Sequence, residues 1–343
     1  NNFSDNYAIT LKDVDTAVLN HVKNVMKPMV REANETFKIP VYYGNEERWK
    51  AVRKRGVLRD KNNSLILPLI MLKRTTNPNE IDFRAKFDLS KKWIVVTGAC
   101  GLIGRAFCEA IAQFGGNIIV TDLEAADPKK YAEELSVKHK RDMIGFNVNV
   151  SNKLSVESLK KYTLQKIERI DGLVNAHQNK SHLIFEKFEE LNESNWDRVV
   201  EVNLKGTFLM CQIIGSYMAE NGGGKIVNLP STYSVVAPNQ NLYKGTNMGC
   251  PAAYSASKGG VEALSKYLAS YWASKNIQVN MITPHGVWNN HEKQFEENFS
   301  NFTPMKRMSY NHEVASSLIY LLSDASSYVT GDNMLVEGGW TVW

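Results

Sequence analysis

The stretch Trp93-Ile94-Val95-Val96-Thr97-Gly98-Ala99-Cys100-Gly101-Leu102-Ile103-Gly104 decides the fold of this chain. Its first five residues predict a buried strand, and the residues from Leu102 onward predict a helix. Glycines between a strand and a helix permit a tight turn and a close approach of the backbone to a phosphate. The helix N-terminus then favours an anion. The stretch therefore predicts a pyrophosphate-binding turn; a tight strand–helix turn without a ligand is the alternative.

The chain from Lys91 onward alternates short apolar strands with amphipathic helices. This alternation is typical of a parallel sheet whose two faces are both covered. We therefore expect an α/β fold, a doubly wound parallel sheet with helices on both faces. The predicted strands are 93–97, 117–121, 143–147, 172–175, 225–229 and 278–282, and the predicted helices are 102–114, 153–167, 196–219 and 252–274.

Asp122 follows the second predicted strand and lies 18 residues after Gly104. A carboxylate at this place accepts hydrogen bonds from the ribose hydroxyls of an adenosine and repels a 2′-phosphate. Neither Cys100 nor Leu123 is basic, so these positions do not favour that phosphate. The pattern indicates NAD rather than NADP. The alternative is an ordinary polar residue at a strand end.

Tyr254 and Lys258 stand four positions apart at the start of predicted helix 252–274. They therefore share one helix face, one turn apart. A nearby ammonium stabilises a phenolate, so we expect a lowered pKa for Tyr254 and a role in acid–base chemistry. Ser231 stands just past the fifth predicted strand. A Tyr–Lys pair on an ordinary helix surface is the alternative.

Several motifs in a fixed order show that the chain resembles the short-chain dehydrogenase/reductase family, the compact type with one Rossmann domain. The resemblance covers residues 88–343. The matching residues are the turn 97–104, Asn149-Val150, the segment 171–176, Asn203, Ser231, Tyr254 with Lys258, Pro284, Thr330-Gly331 and Glu337-Gly338-Gly339.

The resemblance implies roles for four catalytic residues. Tyr254 would exchange the hydroxyl proton while a hydride moves to or from the nicotinamide. Lys258 would bind the nicotinamide ribose and lower the pKa of Tyr254, and Ser231 would hydrogen-bond the substrate oxygen. Asn203 would hold a water that connects Lys258 to solvent. The expected enzyme is an NAD-dependent oxidoreductase that interconverts a secondary alcohol and a carbonyl.

The resemblance also assigns the binding residues. The substrate residues would be Ser231, Tyr243, Tyr254 and His285. No group of cysteines, histidines or carboxylates has the spacing of metal ligands, so no metal is expected. The cofactor-binding residues would be Gly98, Cys100, Gly101, Leu102, Ile103, Gly104, Asp122, Leu123, Asn149, Val150, Asn175, Ala176, Tyr254, Lys258, Pro284 and Val287.

Two replacements depart from the family pattern. Asn175-Ala176-His177-Gln178 stands in place of Asn-Asn-Ala-Gly, which makes the wall behind the cofactor bulkier. Pro284-His285-Gly286 stands in place of Pro-Gly. His285 would contact the carboxamide or the substrate; alternatives are a hindrance to cofactor binding and a purely structural role, which is also the alternative for His177.

A polar insertion, 238–248, lengthens the distance from Ser231 to Tyr254 to 23 positions. We expect it to overhang the substrate pocket and to suit a polyhydroxylated or phosphorylated substrate. The loop and Trp288-Asn289-Asn290 are similar to family members in surface-polysaccharide or sugar biosynthesis, which implies a sugar-type substrate. A neutral surface loop is the alternative. Segment 295–302 either covers a ligand or joins the core.

Residues 1–87 lie outside the family and are predicted to form a small α+β domain of unknown role. Segment 38–75 faintly resembles segments of phage structural proteins. Residues 1–90 hold 16 Lys/Arg and 11 Asp/Glu, which accounts for the whole net charge of +5. The segment with the highest density of basic residues, 48–61, is either a docking surface or a solvated helix face. No nucleic-acid-binding pattern accompanies it. The alternative function is an inactive domain that residues 1–87 dock onto an assembly.

The composition, with 43% hydrophobic and 22% charged residues, is that of a globular protein. No apolar run approaches the ~18 residues of a membrane span, and the first residues of the sequence do not form the apolar core expected of a signal peptide. The four cysteines have no paired metal spacing. We therefore expect a cytoplasmic, reducing location. The resemblance implies a homodimer or homotetramer, in which the apolar tail 340–343 either contacts another subunit or packs into its own core.

Overall fold

The computed structural model describes residues 58–59, 65–66, 81–179 and 188–343. The chain divides into two units, Asn1–Leu72 and Lys73–Trp343. In the first unit, Leu58–Arg59 and Leu65–Ile66 pair as antiparallel strands. The rest of residues 1–80, with most of the basic segment 48–61, lies outside the described residues. The domain boundary after residue 87 and the docking role of this region stay predictions.

The second unit contains a seven-stranded sheet in which every neighbouring pair is parallel, with the order β3-β2-β1-β4-β5-β6-β7. The order reverses at β1, and ligands of such sheets bind outside the carboxyl ends of the strands at this reversal. The strands are β1 (Trp93–Thr97), β2 (Asn117–Asp122), β3 (Met143–Asn147), β4 (Gly172–Asn175), β5 (Gly224–Asn228), β6 (Ile277–Pro284) and β7 (Asn333–Val336).

The central strands are buried on both faces because helices cover each side of the sheet. Along β1, Ile94 and Val96 belong to one apolar cluster, whereas Val95 belongs to the other. Successive side chains of a strand point to opposite faces, so a strand between two helical layers must be apolar throughout. The predicted doubly wound α/β architecture is confirmed.

The helices form these two layers. Phe107 of α1 and Leu318 of α8 belong to one cluster, and Leu159 of α3 and Trp272 of α6 belong to the other. The helices are α1 (Leu102–Gln113), α2 (Pro128–His139), α3 (Lys153–Leu164), α4 (residues 193–220), α5 (Thr232–Val235), α6 (Ala252–Trp272), α7 (Lys293–Phe302) and α8 (Asn311–Leu322).

Helix α4 is continuous but contains two π-helical turns, Glu201–Lys205 and Cys211–Gly215. Such turns insert an extra residue per turn and frequently occur at functional sites. The first contains Asn203, whose side chain is fully buried. The irregularity therefore lies where α4 meets the site described below.

The turn after β1 depends on two glycines. Gly98 has a φ of +62°, a conformation that side chains with a Cβ rarely adopt. A Cβ on Gly104 would overlap the carbonyl oxygen of Gly98 and lie 2.8 Å from the Cα of Ala99. The first turn of α1 thus packs directly on the backbone of the preceding turn, which leaves no room for a side chain.

The variant Gly104→Ala tests this packing. We expect its free energy of unfolding to fall by about 3 kcal/mol because the clashing atoms belong to the backbone and cannot rotate away. Gly259→Ala is the matched control, since a Cβ there meets nothing within 4 Å, and it should gain roughly 0.5–1 kcal/mol from helix propensity. Denaturant titration measures both; equal stabilities of the two variants would contradict the packing argument.

Candidate active site

A cavity of about 680 Å³ lies along the carboxyl ends of the strands. The structure brings most of the predicted site residues to its surface. Cys100, Asn175 and Asn203 are absent from that lining. The predicted residues that line the cavity are Gly98, Gly101, Leu102, Ile103, Gly104, Asp122, Leu123, Asn149, Val150, Ala176, Ser231, Tyr243, Tyr254, Lys258, Pro284, His285 and Val287.

The glycine turn and Asp122 form one end of the cavity. Asp122 Oδ2 accepts a hydrogen bond from the Cys100 N–H at 3.0 Å, and Oδ1 accepts one from the Leu123 N–H at 2.8 Å. Each carboxylate oxygen has a second lone pair, so Asp122 can also accept hydrogen bonds from ribose hydroxyls. Cys100 supports Asp122 through its amide instead of lining the cavity.

Lys258 is held against the end of β5. Its Nζ donates a hydrogen bond to the Leu229 carbonyl at 2.7 Å and lies 5.7 Å from the ring centre of Tyr254. The side chain is 3% exposed. A buried ammonium needs such polar partners, so this bond fixes the start of α6 relative to the strand that precedes Ser231.

Burial sets the acidity of Tyr254. It raises the pKa of Tyr254 to about 12, and the hydrogen bond with Ser231 opposes this only in part. The net lowering of the Tyr254 pKa that the sequence predicts is therefore not found in the chain by itself, and the effect of Lys258 on Tyr254 stays a prediction. The physical reason is that loss of hydration of the phenolate outweighs the neighbouring groups.

Asn203 joins three segments behind the cavity. Its Oδ1 accepts a hydrogen bond from the Asn179 N–H at 2.8 Å, and its Nδ2 donates to Ser257 Oγ at 3.2 Å. Ser257 Oγ in turn donates to the Tyr254 carbonyl at 2.8 Å. In this structure Asn203 positions α6 and the segment after β4, and it does not reach the cavity surface.

Asn175 also lies behind the cavity surface. Its Nδ2 donates to Asn228 Oδ1 at 2.8 Å, and Asn228 Nδ2 donates to Ser265 Oγ at 2.8 Å. This chain of side chains links β4, β5 and α6 inside the core. A direct contact of the Asn175 side chain with a cofactor is not supported by this placement.

His177 fills a space that the glycine at 206 leaves open. Its Nδ1 lies 2.6 Å from Thr97 Oγ1 and its Nε2 lies 3.4 Å from Thr207 Oγ1. A Cβ on Gly206 would lie only 3.0 Å from that Nε2. Burial and the charge of Lys258 lower the pKa of His177 to about 3, so the ring is a neutral, hydrogen-bonded part of the wall.

The insertion forms part of the cavity wall, as predicted, and is tied to α7. Asn298 Nδ2 donates to the Leu242 carbonyl at 3.0 Å and to the Lys244 carbonyl at 2.9 Å. The ring of Tyr243 stacks on Phe295 with 5.9 Å between centres. Residues of α7 both line the cavity and join a buried apolar cluster. Segment 295–302 therefore contributes to the cavity wall and to the core at the same time.

Tyr233 is a cavity residue that the sequence argument missed. Its hydroxyl lies 2.8 Å from the Tyr243 hydroxyl. Its ring packs edge-on against Tyr254, with centres 6.5 Å apart and an interplanar angle of 85°. Its position two residues after Ser231 was the feature of the sequence that could have indicated a place in the site. Asn289 and His291 line the same end of the cavity.

His285 is enclosed by three aromatic rings. The ring centres of Trp340, Phe299 and Tyr233 lie 4.4, 4.9 and 5.4 Å from that of His285. Its Nε2 is buried and has no hydrogen-bond partner. Burial lowers the pKa of His285 to about 3, so the imidazole is neutral.

Comparison with known proteins agrees with this arrangement. Residues 98–341 match the family model described as enoyl-(acyl carrier protein) reductase. The chain belongs to the short-chain dehydrogenase/reductase family. This dehydrogenase/reductase is 34% identical to the NAD-dependent glycerol dehydrogenase of Listeria innocua over 76% of the chain and 98% of that protein.

Two further comparisons extend this result. The D-threitol dehydrogenase of Mycolicibacterium smegmatis is 33% identical, over 78% of this dehydrogenase/reductase and 99% of that protein. A crystal structure of a gluconate 5-dehydrogenase from Burkholderia cenocepacia in complex with NADP and tartrate has a TM-score of 0.68 at 24% identity. It covers 76% of this chain and 99% of that one, and the likeness shows the fold.

Family membership confirms the predicted enzyme class, a dehydrogenase/reductase that acts on CH–OH groups and binds NAD(P). Within the described part of the chain, no helix is long and apolar enough to cross a membrane. The same residues contain no cluster of three or more potential metal ligands.

The buried His285 predicts a loss of stability in acid. Its pKa is about 3 in the folded chain against an ordinary value of 6.5, so below pH 6.5 the unfolded chain binds a proton that the folded chain does not. Stability therefore falls as the pH falls from 6.5 towards 3. Between pH 7 and pH 5 the linkage amounts to about 2 kcal/mol.

The variant His285→Phe should remove this part of the pH dependence while it keeps an aromatic ring in place. We expect its drop in unfolding free energy between pH 7 and pH 5 to be about 2 kcal/mol smaller than that of the wild type. Denaturant titrations at the two pH values measure this difference. An equal drop in both proteins would show that His285 is not buried in its neutral form.

Proposed function

We propose that this chain is an NAD-dependent dehydrogenase that interconverts a secondary alcohol of a sugar or polyol with the corresponding carbonyl. The supporting observation is that Ser231, Tyr254 and Lys258 line the same cavity as the glycine turn and Asp122. The relatives that act on glycerol and threitol support the polyol class.

The proposed roles follow from the positions of the side chains. The nicotinamide cofactor supplies or accepts the hydride when it is bound. Ser231 orients the substrate oxygen, and Tyr254 exchanges a proton with it. Lys258 is placed to bind a ribose hydroxyl, and Asn203 holds α6 in position. Because burial favours the neutral phenol of Tyr254, carbonyl reduction starts from the protonation state present at neutral pH, whereas oxidation requires Tyr254 to lose its proton first.

The preference for NAD over NADP rests on Asp122. Its carboxylate is fixed by the Cys100 and Leu123 amides at the cavity end that holds the glycine turn. A fixed negative charge repels a 2′-phosphate. The glycerol dehydrogenase relative is NAD-dependent, which supports the same choice.

We further propose that the protein is a cytoplasmic homodimer or homotetramer. Tyr267 and Tyr271 of α6 are exposed and stack on each other, and Phe208 of α4 is also exposed. Exposed apolar surface of this kind is suited to a subunit contact. All four cysteines are free, as expected in a reducing compartment.

The first test of the proposed chemistry is Tyr254→Phe. Loss of the acid–base group should lower kcat by roughly 100- to 10,000-fold, measured as NADH formation from a polyol. Tyr328→Phe is the matched control, because the Tyr328 side chain is fully exposed, and it should retain wild-type kcat. Equal rates for wild type and Tyr254→Phe would remove Tyr254 from the mechanism.

The second test is Asp122→Ser, which removes the charge that repels a 2′-phosphate. The ratio of kcat/KM with NADP to kcat/KM with NAD should rise by about 10-fold or more, equal to about 1.4 kcal/mol. Asp324→Ser is the control, since Asp324 pairs with Lys92 on the surface, and its ratio should stay at the wild-type value. An unchanged ratio in Asp122→Ser would refute the role of this carboxylate.

A further inference from the structure

Helix α6 holds the segment that carries Ser231 from both sides. Before Ser231, the Leu229 carbonyl accepts the hydrogen bond from Lys258 Nζ at 2.7 Å. After Ser231, the hydroxyl of Ser234 lies 2.6 Å from Glu262 Oε2. Glu262 follows Lys258 by four residues, so the two side chains project from the same side of α6, one turn apart. Neither Glu262 nor Ser234 lines the cavity.

Ser234 links the backbone of Ser231 to the Glu262 carboxylate. The Ser234 N–H donates a hydrogen bond to the Ser231 carbonyl at 2.7 Å, and the Ser234 Oγ lies 2.7 Å from the same carbonyl oxygen. A hydroxyl has a single proton, and an ionised carboxylate is a stronger acceptor than a carbonyl. The Ser234 O–H therefore donates to Glu262, while the Ser234 N–H holds the Ser231 carbonyl.

The surroundings of Glu262 keep its carboxylate ionised at neutral pH. Burial raises the pKa of Glu262, but the hydrogen bonds from Lys266 and Ser234 outweigh this effect, so the pKa lies below its ordinary value. The Glu262 side chain is 14% exposed, whereas that of Lys266 is 60% exposed. Lys266 belongs to the same helix, so it is the bond from Ser234 that joins Glu262 to another segment of the chain.

The turn that Ser234 belongs to determines where the Ser231 hydroxyl lies. Ser231 Oγ accepts a hydrogen bond from the Tyr233 N–H at 3.3 Å and is hydrogen-bonded to Tyr254. Helix α5 is a single turn of four residues, and so short a helix depends on tertiary contacts for its position. The bond between Ser234 and Glu262 is such a contact, and it comes from the helix that carries Tyr254.

We infer that Glu262 is a positioning residue for the dehydrogenase reaction. Through Ser234, it fixes the Ser231 hydroxyl relative to Tyr254. This inference rests on the proposed function and adds to it a residue outside the cavity. The helix that carries the acid–base group thereby also sets the position of the group that orients the substrate. A displaced Ser231 hydroxyl would slow the reaction, because catalysis requires close alignment of the reacting groups.

The experiment measures NADH formation from C3 to C6 polyols by the wild type and by single variants. Glu262→Ala and Ser234→Ala should each lower kcat by roughly 10-fold or more. The KM for NAD should change by less than about 3-fold, because neither side chain lines the cavity. Glu262→Gln keeps an oxygen that accepts the Ser234 O–H, so it should retain kcat to within about 3-fold of the wild type.

A double variant distinguishes positioning from a general loss of stability. If the two side chains act through one bond, adding Ser234→Ala to Glu262→Ala should lower kcat by less than about 2-fold more. Glu157→Ala is the matched control, since Glu157 pairs with a lysine four residues away on α3, outside the cavity lining, and it should retain wild-type kcat. Thermal unfolding of each variant shows that it is folded at the assay temperature.

The outcomes separate this inference from the proposed function. Wild-type kcat in Glu262→Ala, or losses of kcat that multiply in full in the double variant, would overturn the positioning role and leave the proposed function intact. A loss in Glu262→Gln equal to that in Glu262→Ala would overturn it as well, because the acceptor oxygen would then not matter. Absence of polyol turnover in the wild type would overturn the proposed function and this inference together.

Discussion

The hydrogen bond from the Lys258 ammonium to the Leu229 carbonyl is the contact on which the site depends. It joins the catalytic helix α6 to the end of a central strand. Because a buried ammonium is costly without a polar partner, this bond restrains the position of α6 relative to the strand. Tyr254, one turn earlier on α6, is thereby placed beside Ser231, which follows the same strand. The parallel sheet brings the glycine turn and Asp122 to the same edge, so one cavity contains both binding and acid–base groups.

The departures from the family pattern are accommodated rather than disruptive. His177 is bulkier than the expected residue, but Gly206 leaves it space and two threonine hydroxyls lie within hydrogen-bonding distance of its ring. The insertion is held by Asn298 and by stacking on Phe295. These contacts hold the long insertion in place as part of the cavity wall.

The sequence predicted the parts of the fold that carry strong local patterns. Six of the seven strands were predicted to within two residues, because each contains a short apolar run bounded by polar or turn residues. Strand β7 is short and partly exposed at the sheet edge, which leaves a weak pattern. Helix α2 was missed although Asp127 caps it and Pro128 begins it, a recognised start signal. Its few buried residues, four of twelve, hide the helical period.

The residues of the site were likewise predictable only where the sequence carries a local pattern. Tyr254, Lys258 and Ser231 were identifiable because each stands at a fixed place relative to a strand or helix. Sequence spacing could not show that Asn203 and Asn175 point into the core, since that depends on the partners Ser257 and Asn228. Nor could it give the direction of the Tyr254 pKa, because burial is a property of the assembled fold. The ring cage of His285 combines residues from four separate segments of the chain.

The most direct measurement is a crystal structure of the protein with NADH and a polyol bound together. We expect the nicotinamide to lie beside Pro284 and Lys258, and one substrate hydroxyl to lie within hydrogen-bond distance of both Tyr254 and Ser231. A complex in which the polyol lies away from Tyr254 and Ser231 would contradict this expectation.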